Sequence, residues 1–471
     1  MWMRKLFASA NRLSHPTDEL LAPFARWLAL EDLPQPERKT PRPFYRRAWC
    51  PRLTLWYLIG QRLSPHHPLA AVVADARRGG ADALSRAKRP LSRCLRSSAT
   101  TAFARARRRL PLAWVMTRFE RLARALVEEP AASSATGLPV RLRDGSTLRL
   151  RPHGDIPRHF PPHRTARRQR DYWCVGRTVV AFGAERAGVL AARLGSLPCG
   201  EQALAVRLIL PAGARAWYVG DRNFGVWRVV RATAQAGGQV WVRLTGVRAG
   251  RRAEGRPLRV GEERPVSWRP SRHDQGDRDL RRAAVTGRLV AVRVQRRGWR
   301  SEVLYRFTTL TDTAAYPPAW LAQQYGRRWR VEGDWRWVKS TLGLNQLEVK
   351  SADLARQEFY AGLMAYNLVR GLMRVAARAP GVVGERLSFT TARVVLWGAL
   401  GVLWLNGVSA RRRGAELRRI CEEIGRVRQP RRRKPRPSEP RAQYHVPNAF
   451  PALCGTRAQA RRKLRQLTAK S

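Results

Sequence analysis

Residues 325–339 read Tyr325-Gly-Arg-Arg328-Trp-Arg-Val-Glu332-Gly-Asp-Trp-Arg-Trp-Val-Lys339. The spacing is Tyr, two residues, Arg, three residues, Glu, six residues, Lys. At about 100° per residue in an α-helix, Tyr325, Arg328, Glu332 and Lys339 leave one arc roughly 60° wide. That arc carries a carboxylate flanked by two cations and a phenol. Carboxylate oxygens hold a hard divalent cation, and Arg and Lys grip phosphate oxygens. The set suits phosphodiester chemistry on nucleic acid. The bland alternative is a solvated helix face in an arginine-rich chain.

Two acids upstream complete a metal-binding set. Asp144 lies in Leu138-Pro-Val-Arg-Leu-Arg-Asp144-Gly-Ser-Thr-Leu-Arg-Leu150, where Val140, Leu142, Leu148 and Leu150 alternate as in a strand. Asp221 closes Ala214-Arg-Ala-Trp-Tyr-Val-Gly-Asp221 and leads into Arg-Asn-Phe-Gly225, a short apolar strand running into an acid. Asp144, Asp221 and Glu332 together make a cage of oxygen ligands for two Mg²⁺ ions. Taken singly, either Asp reads equally well as a turn residue.

With these residues in view, the chain resembles the bacterial DDE transposases of insertion-sequence family four, over most of its length. Phe44-Tyr-Arg-Arg, the apolar helix ending in Gln61 and Ala104-Arg-Ala-Arg-Arg-Arg-Leu-Pro111 are similar to that family upstream. Leu347-Glu-Val-Lys-Ser351 and Ala365-Tyr-Asn-Leu-Val-Arg370 are similar to it downstream. The resemblance implies an α/β, ribonuclease-H-like core with a β-rich insertion between the second Asp and the Glu. It implies Asp144 as a bridging ligand, with Mg²⁺ replaceable by Mn²⁺. It implies double-stranded DNA as partner, both element ends and target, and at least a dimer when two ends are paired. In relatives the freed 3′ hydroxyl forms a hairpin that is reopened before joining. Tyr325 is then a phosphate or sugar contact, and Arg328 and Lys339 bind phosphates near the scissile bond. Arg222 and Arg243 line the DNA channel, or serve as ion-pair members. Glu201 orients the site under the same alternative. Tyr305 stacks on a flipped base, or is a core tyrosine on a strand, with Trp241, Trp268 and Trp299 as rivals.

Composition points the same way. The 471 residues carry a formal charge of +57, which calls for a polyanionic partner such as nucleic acid. A chain of this length predicts about two to four domains. Cysteines at 50, 94, 174, 199, 421 and 454 form no C-x-x-C pair, so neither a zinc module nor a disulfide framework is expected. His153, His159 and His163 sit in a Pro-rich loop. Met-Trp-Met-Arg-Lys lacks a following apolar core, and the run Val394–Leu405 is shorter than a bilayer span. A cytoplasmic, nucleoid-associated protein with no membrane partner is expected.

Residues 1–130 read as a helical DNA-binding region. It has apolar spacing at Leu20, Leu21, Phe24, Trp27 and Leu28, a helix over Leu53–Leu63, and a basic helix near 99–110 carrying Arg105 and Arg108. A linker spans 131–137. Residues 138–244 form the first part of the core, with strands near 138–150, 178–183, 188–194, 214–220 and 238–244, and helices near 201–210 and 226–236. Residues 245–312 form the insertion. Residues 313–405 hold the catalytic helix, from Pro318 to about Thr341, and the helices after it. Residues 406–471 form a basic tail, of which 409–441, with Arg411–Arg413 and Arg431–Lys434, is a flexible segment gripping DNA nonspecifically.

The expected activity is excision of an insertion sequence at its terminal inverted repeats and joining of the 3′ ends to target DNA. A catalytically inactive, domesticated DNA-binding relative is the alternative. A tyrosine recombinase using Tyr325 lacks the His–Arg partner set. An RNA-binding protein lacks an aromatic-rich RNP-like strand.

Overall fold

The computed structural model describes residues 48–64, 68–80, 89–127, 137–164, 170–213, 215–256, 258–271, 283–294, 302–378, 384–403 and 410–427, and scattered positions near these and within 456–466. The expected helix at Leu20–Leu28, the linker up to 136, Trp299 and the basic run at Arg431 lie outside the described residues.

The described chain opens with helices α1 (Pro51–Leu63), α2 (Leu69–Arg77), α3 (Thr101–Arg109) and α4 (Leu112–Val127). Pro51 occupies the first turn of α1, where its missing N–H costs no helical bond. Ser64 and Leu110 turn extended just before Pro65 and Pro111 and end α1 and α3.

The strands follow as β1 (Val140–Leu150), β2 (Pro162–Arg164), β3 (Arg170–Gly183), β4 (Val189–Ser196), β5 (Trp217–Gly220), β6 (Gln239–Arg243), β7 (Glu263–Trp268), β8 (Val285–Val294), β9 (Glu302–Thr308) and β10 (Gln346–Leu347). They form one mixed sheet in the order β2-β3-β1-β5-β6-β9-β8-β7, with β4 beside β3 and β10 beside β1. β3 runs antiparallel to β1 and to β4, whereas β5 is parallel to β1 and β6 to β5. The parallel neighbours need crossovers; helices α5 (Glu201–Leu208) and α6 (Trp227–Gln235) supply them.

The insertion departs from expectation in two respects. It contains helix α7 (Gly246–Arg252). Its strands β7–β9 also continue the central sheet through the β6–β9 pairing. Unpaired backbone at the β6 edge is satisfied by this addition.

The expected single helix over 318–341 is divided. Helix α8 (Pro318–Gly326) passes through a tight turn, Arg327–Trp329, into α9 (Arg330–Arg336) and then a wider π-type turn, Trp337–Thr341. The uniform 100° step behind the one-arc reading therefore does not apply. Helices α10 (Ala352–Ala376), α11 (Phe389–Leu403) and α12 (Ala410–Arg426) follow. Helix α12 corrects the expectation of flexibility over the first part of the segment 409–441. Leu417, Ile420, Cys421 and Ile424 recur at helical spacing and are buried in the main core.

The sheet separates two apolar clusters. One face packs on α1, α4, α10 and α11, and the other on α5, α6 and α7. Helix α10 is buried along most of its length. Its Glu358 accepts hydrogen bonds from both Arg62 of α1 and Arg107 of α3, all three side chains being buried. Among the described residues no helix is long and apolar enough to cross a membrane.

Candidate active site

Parallel pairing of β1 with β5 ends at the partners Arg143 and Gly220. The next residue in each segment is an acid, Asp144 still on β1 and Asp221 just past the end of β5. The register therefore brings the two carboxylates together where the ladder opens. Asp144 shares its face of β1 with Leu142 and Leu148, the side covered by the main core.

Arg328 reaches this pair from the turn between α8 and α9. Its Nη1 lies 3.7 Å from Asp144 Oδ1 and its Nη2 3.9 Å from Glu332 Oε1. Arg328 is buried. Burial works against its charge, yet Tyr325, Asp144, Asp221 and Glu332 together hold the guanidinium above the ordinary arginine value. All three expected acids thus surround one cation, with Glu332 on the solvent side.

The two residues after Asp144 are also occupied. A Cβ on Gly145 would lie 1.3 Å from Glu201 Oε1, so any side chain there would displace the Glu201 carboxylate. Lys339 Nζ lies 3.3 Å from Ser146 Oγ. Burial lowers the Lys339 pKa, and Arg149 adds to the effect. Glu201 Oε2 accepts from Asn223 Nδ2 at 2.9 Å, and the Asn223 backbone N–H donates to Asp221 Oδ1 at 2.9 Å.

The electrostatics follow. Burial pushes the Asp144 carboxyl up to about 7; Arg328 opposes the shift, and the Asp221 and Glu201 charges add to it. Burial also raises Glu201, with Asp221 adding and Asn223 opposing. An excess of crowded carboxylate is the donor chemistry that a hard divalent cation balances. Asp144 and Asp221 fit such an ion by donor type and by register. Among the described residues no three His, Cys, Asp or Glu side chains converge to ligating distance, since Arg328 stands between Asp144 and Glu332.

The remaining expected residues are distributed as follows. Tyr325 is buried, with the Arg306 guanidinium 3.8 Å and that of Arg328 5.6 Å from its ring centre. Arg243 is half-buried and is the cross-strand partner of Arg306. Tyr305 packs against the other cluster, beneath α7. Alternation along β9 turns Arg306, not Tyr305, toward Tyr325. Trp241 and Trp268 are buried as well. Arg222 is exposed, and its carbonyl accepts from Arg248. Arg105 and Arg108 are exposed on α3, away from the buried Arg107. Arg108 lines a cleft of about 630 Å³ together with Lys350 and Glu348.

Sequence reasoning did not single out Asn223, Ser146 or Arg306. Gly145 next to an acid inside a strand was the available signal, because a strand glycine marks a close approach.

Residues 137–368 match the family described as the transposase DDE domain. This segment, just under half of the chain, is similar to a transposase DDE domain. Both Asp residues, Glu201, Glu332 and Lys339 fall inside it. The chain is 33% identical over 109 residues to the transposase InsG for insertion sequence element IS4 of Escherichia coli strain K12. That match covers 22% of this chain and spans about a quarter, 24%, of the relative. Among solved structures, a piggyBac transposase synaptic complex with hairpin DNA is similar at a TM-score of 0.40 and 13% identity, over 86% of this chain and 83% of that one. The DDE domain implies divalent metal use in general.

Proposed function

We propose that this chain is a DNA transposase that cuts an insertion sequence at its terminal inverted repeats and joins the 3′ ends to target DNA. One observation carries the reading. The β1–β5 register juxtaposes Asp144 and Asp221 inside the segment that matches a transposase DDE domain, with Glu332 facing them across Arg328. The strand order β4-β3-β1-β5-β6, in which β3 alone is antiparallel, supports a ribonuclease-H-like core.

Asp144, Asp221 and Glu332 hold two Mg²⁺ ions in this reading, and Mn²⁺ substitutes. The metal, when bound, supplies activation of the attacking oxygen and charge stabilisation at the leaving one. The chain's own residues do the rest. Lys339 donates to a phosphate oxygen from beside Ser146. Arg328 lies within reach of Asp144 and Glu332 and turns to the scissile phosphate when DNA enters. Arg222, Arg243, Arg105 and Arg108 contact the backbone of the duplex. Tyr325, held under Arg306, sets the position of Arg328. Two ends are processed together, so the working assembly is at least a dimer.

The test is cleavage of a labelled blunt duplex carrying the inverted repeat that flanks the coding region, with Mg²⁺ or EDTA, beside a gel shift. Metal-dependent nicking at the repeat terminus is the expected result. Tight end binding without cleavage by the unaltered chain replaces this reading with that of an inactive DNA-binding relative.

A further inference from the structure

We propose that Glu201 is a positioning residue that ties the Asp221 loop to strand β1 and so fixes the two aspartates relative to each other. The inference rests on the transposase reading of the site.

Asp144 and Asp221 come from two strands whose ladder has just ended, because Arg143 and Gly220 are the last partners. Asp144 itself stays in register, opposite Val180 of β3. Asp221 begins a loop and has no ladder partner on β1. Phosphodiester chemistry tolerates only small errors in ligand placement, so something must hold that loop. Phe224, buried in the cluster under α6, anchors its far end. At its near end the Asn223 backbone fixes one carboxylate oxygen of Asp221, and the Asn223 side chain donates to Glu201.

Glu201 is a firm post for this contact. It opens α5, whose Leu204, Ala205 and Leu208 are buried against the sheet. Its second oxygen fills the space that a side chain at position 145 would take. The tie therefore runs by hydrogen bonds from Glu201 through Asn223 to Asp221, with the Glu201 carboxylate packed against Gly145 of β1. A glutamate so near two aspartates experiences repulsion, and a merely solvated one would swing away. Asn223 and the Arg177 charge favour its inward position.

The experiment uses the full chain and two metal readouts. One is the Mg²⁺ concentration giving half-maximal cleavage of the end duplex. The other is the Mn²⁺ dissociation constant by electron paramagnetic resonance, which needs no turnover. Glu201→Ala should raise both by about tenfold, the usual scale for losing a group that orients a ligand. End-duplex affinity and melting temperature should stay near those of the unaltered chain. Asn223→Ala, at an exposed position, should give the same rise. The double variant should be no worse than either single one, since both cut one tie. Glu201→Gln keeps an oxygen for the Asn223 amide and should return both values to within about threefold. Multiplying defects in the double variant, or a fall in melting temperature with unchanged Mn²⁺ affinity, would overturn the proposal. An unaltered chain that neither binds Mn²⁺ nor cleaves removes the metal reading of the site and this proposal with it. Metal binding by the unaltered chain, matched by Glu201→Ala, removes this proposal alone.

Discussion

Asp144 is where burial and charge conflict most directly. Its carboxyl stands at about 7 against an ordinary 3.8. The folded chain therefore binds this proton more tightly than the unfolded chain. Its contribution to stability is greatest below about pH 4, is lost as pH rises toward 7 and stays low above that. Asp144→Asn removes the penalty. Without metal, the variant should gain on the unaltered chain between pH 5 and pH 8, by on the order of a few kcal/mol at the higher value. Thermal melts in EDTA at both pH values measure this, and a gap that does not widen with pH contradicts it. The opposite holds for chemistry. Asp221→Asn and Glu332→Gln keep shape but lose a charged oxygen, so Mg²⁺-dependent cleavage should fall by several orders of magnitude while gel-shift affinity for end DNA persists. A Glu332→Gln protein that cuts at the normal rate would reduce the Arg328–Glu332 contact to a surface ion pair. Under the proposed function Lys339→Ala removes a phosphate contact only, so slower cleavage with weaker end complexes is expected.

At the scale of elements, α10 is the beam to which the N-terminal helices are fastened. Arg62 and Arg107 converge on Glu358 in a buried site, so a single anion serves two cations and the cluster keeps one net positive charge. The two arginines hold the Glu358 carboxyl below the usual carboxylate range against the effect of burial. Removing the anion strands both guanidinium groups, a change that costs about 3–5 kcal/mol in buried pairs. Glu358→Ala should therefore lower the melting temperature sharply or leave the chain insoluble. Arg105→Ala, at an exposed position on α3, should leave melting unchanged. Equal melting of the two variants in differential scanning calorimetry would show that the α3–α10 contact does not hold these elements together. Strand β1 makes a related point. Alternation at Val140, Leu142, Leu148 and Leu150 identified the strand, and the structure keeps all four inside. The intervening Arg141 and Arg143 are buried too, with Arg143 4.4 Å from the Tyr218 ring centre. A polar–apolar alternation usually marks a strand with one wet face. Here a second helical layer covers that face, and no local pattern carries that information.

For the whole molecule the dominant quantity is charge. With +57 distributed over the chain, binding of end DNA should neutralise many phosphates. Log K against log salt should then fall more steeply than about −5, given roughly −0.9 per phosphate on duplex DNA. Gel-shift titration across salt measures this slope, and a nearly flat line would remove nucleic acid as the partner. The charge does not all face DNA. Arg62, Arg107, Arg141, Arg143 and Arg306 are buried, and Arg306 is spent on stacking over Tyr325.

By itself the sequence determined the chemistry on offer and most of the elements. The acids, the Tyr–Arg–Glu–Lys spacing, the strand around Asp144 and the helix after Pro317 are local patterns, written in periodicity, in proline positions and in residue type. Only the tertiary structure decided which groups meet. It set Arg328 between Asp144 and Glu332, brought Glu201 over Gly145 from a separate helix, turned Tyr305 into the second core and continued the sheet through β9. It also placed Arg107 in an ion pair while its neighbours Arg105 and Arg108 stay in water. Each of these depends on contacts between residues far apart in the chain, and their geometry follows from how whole layers pack.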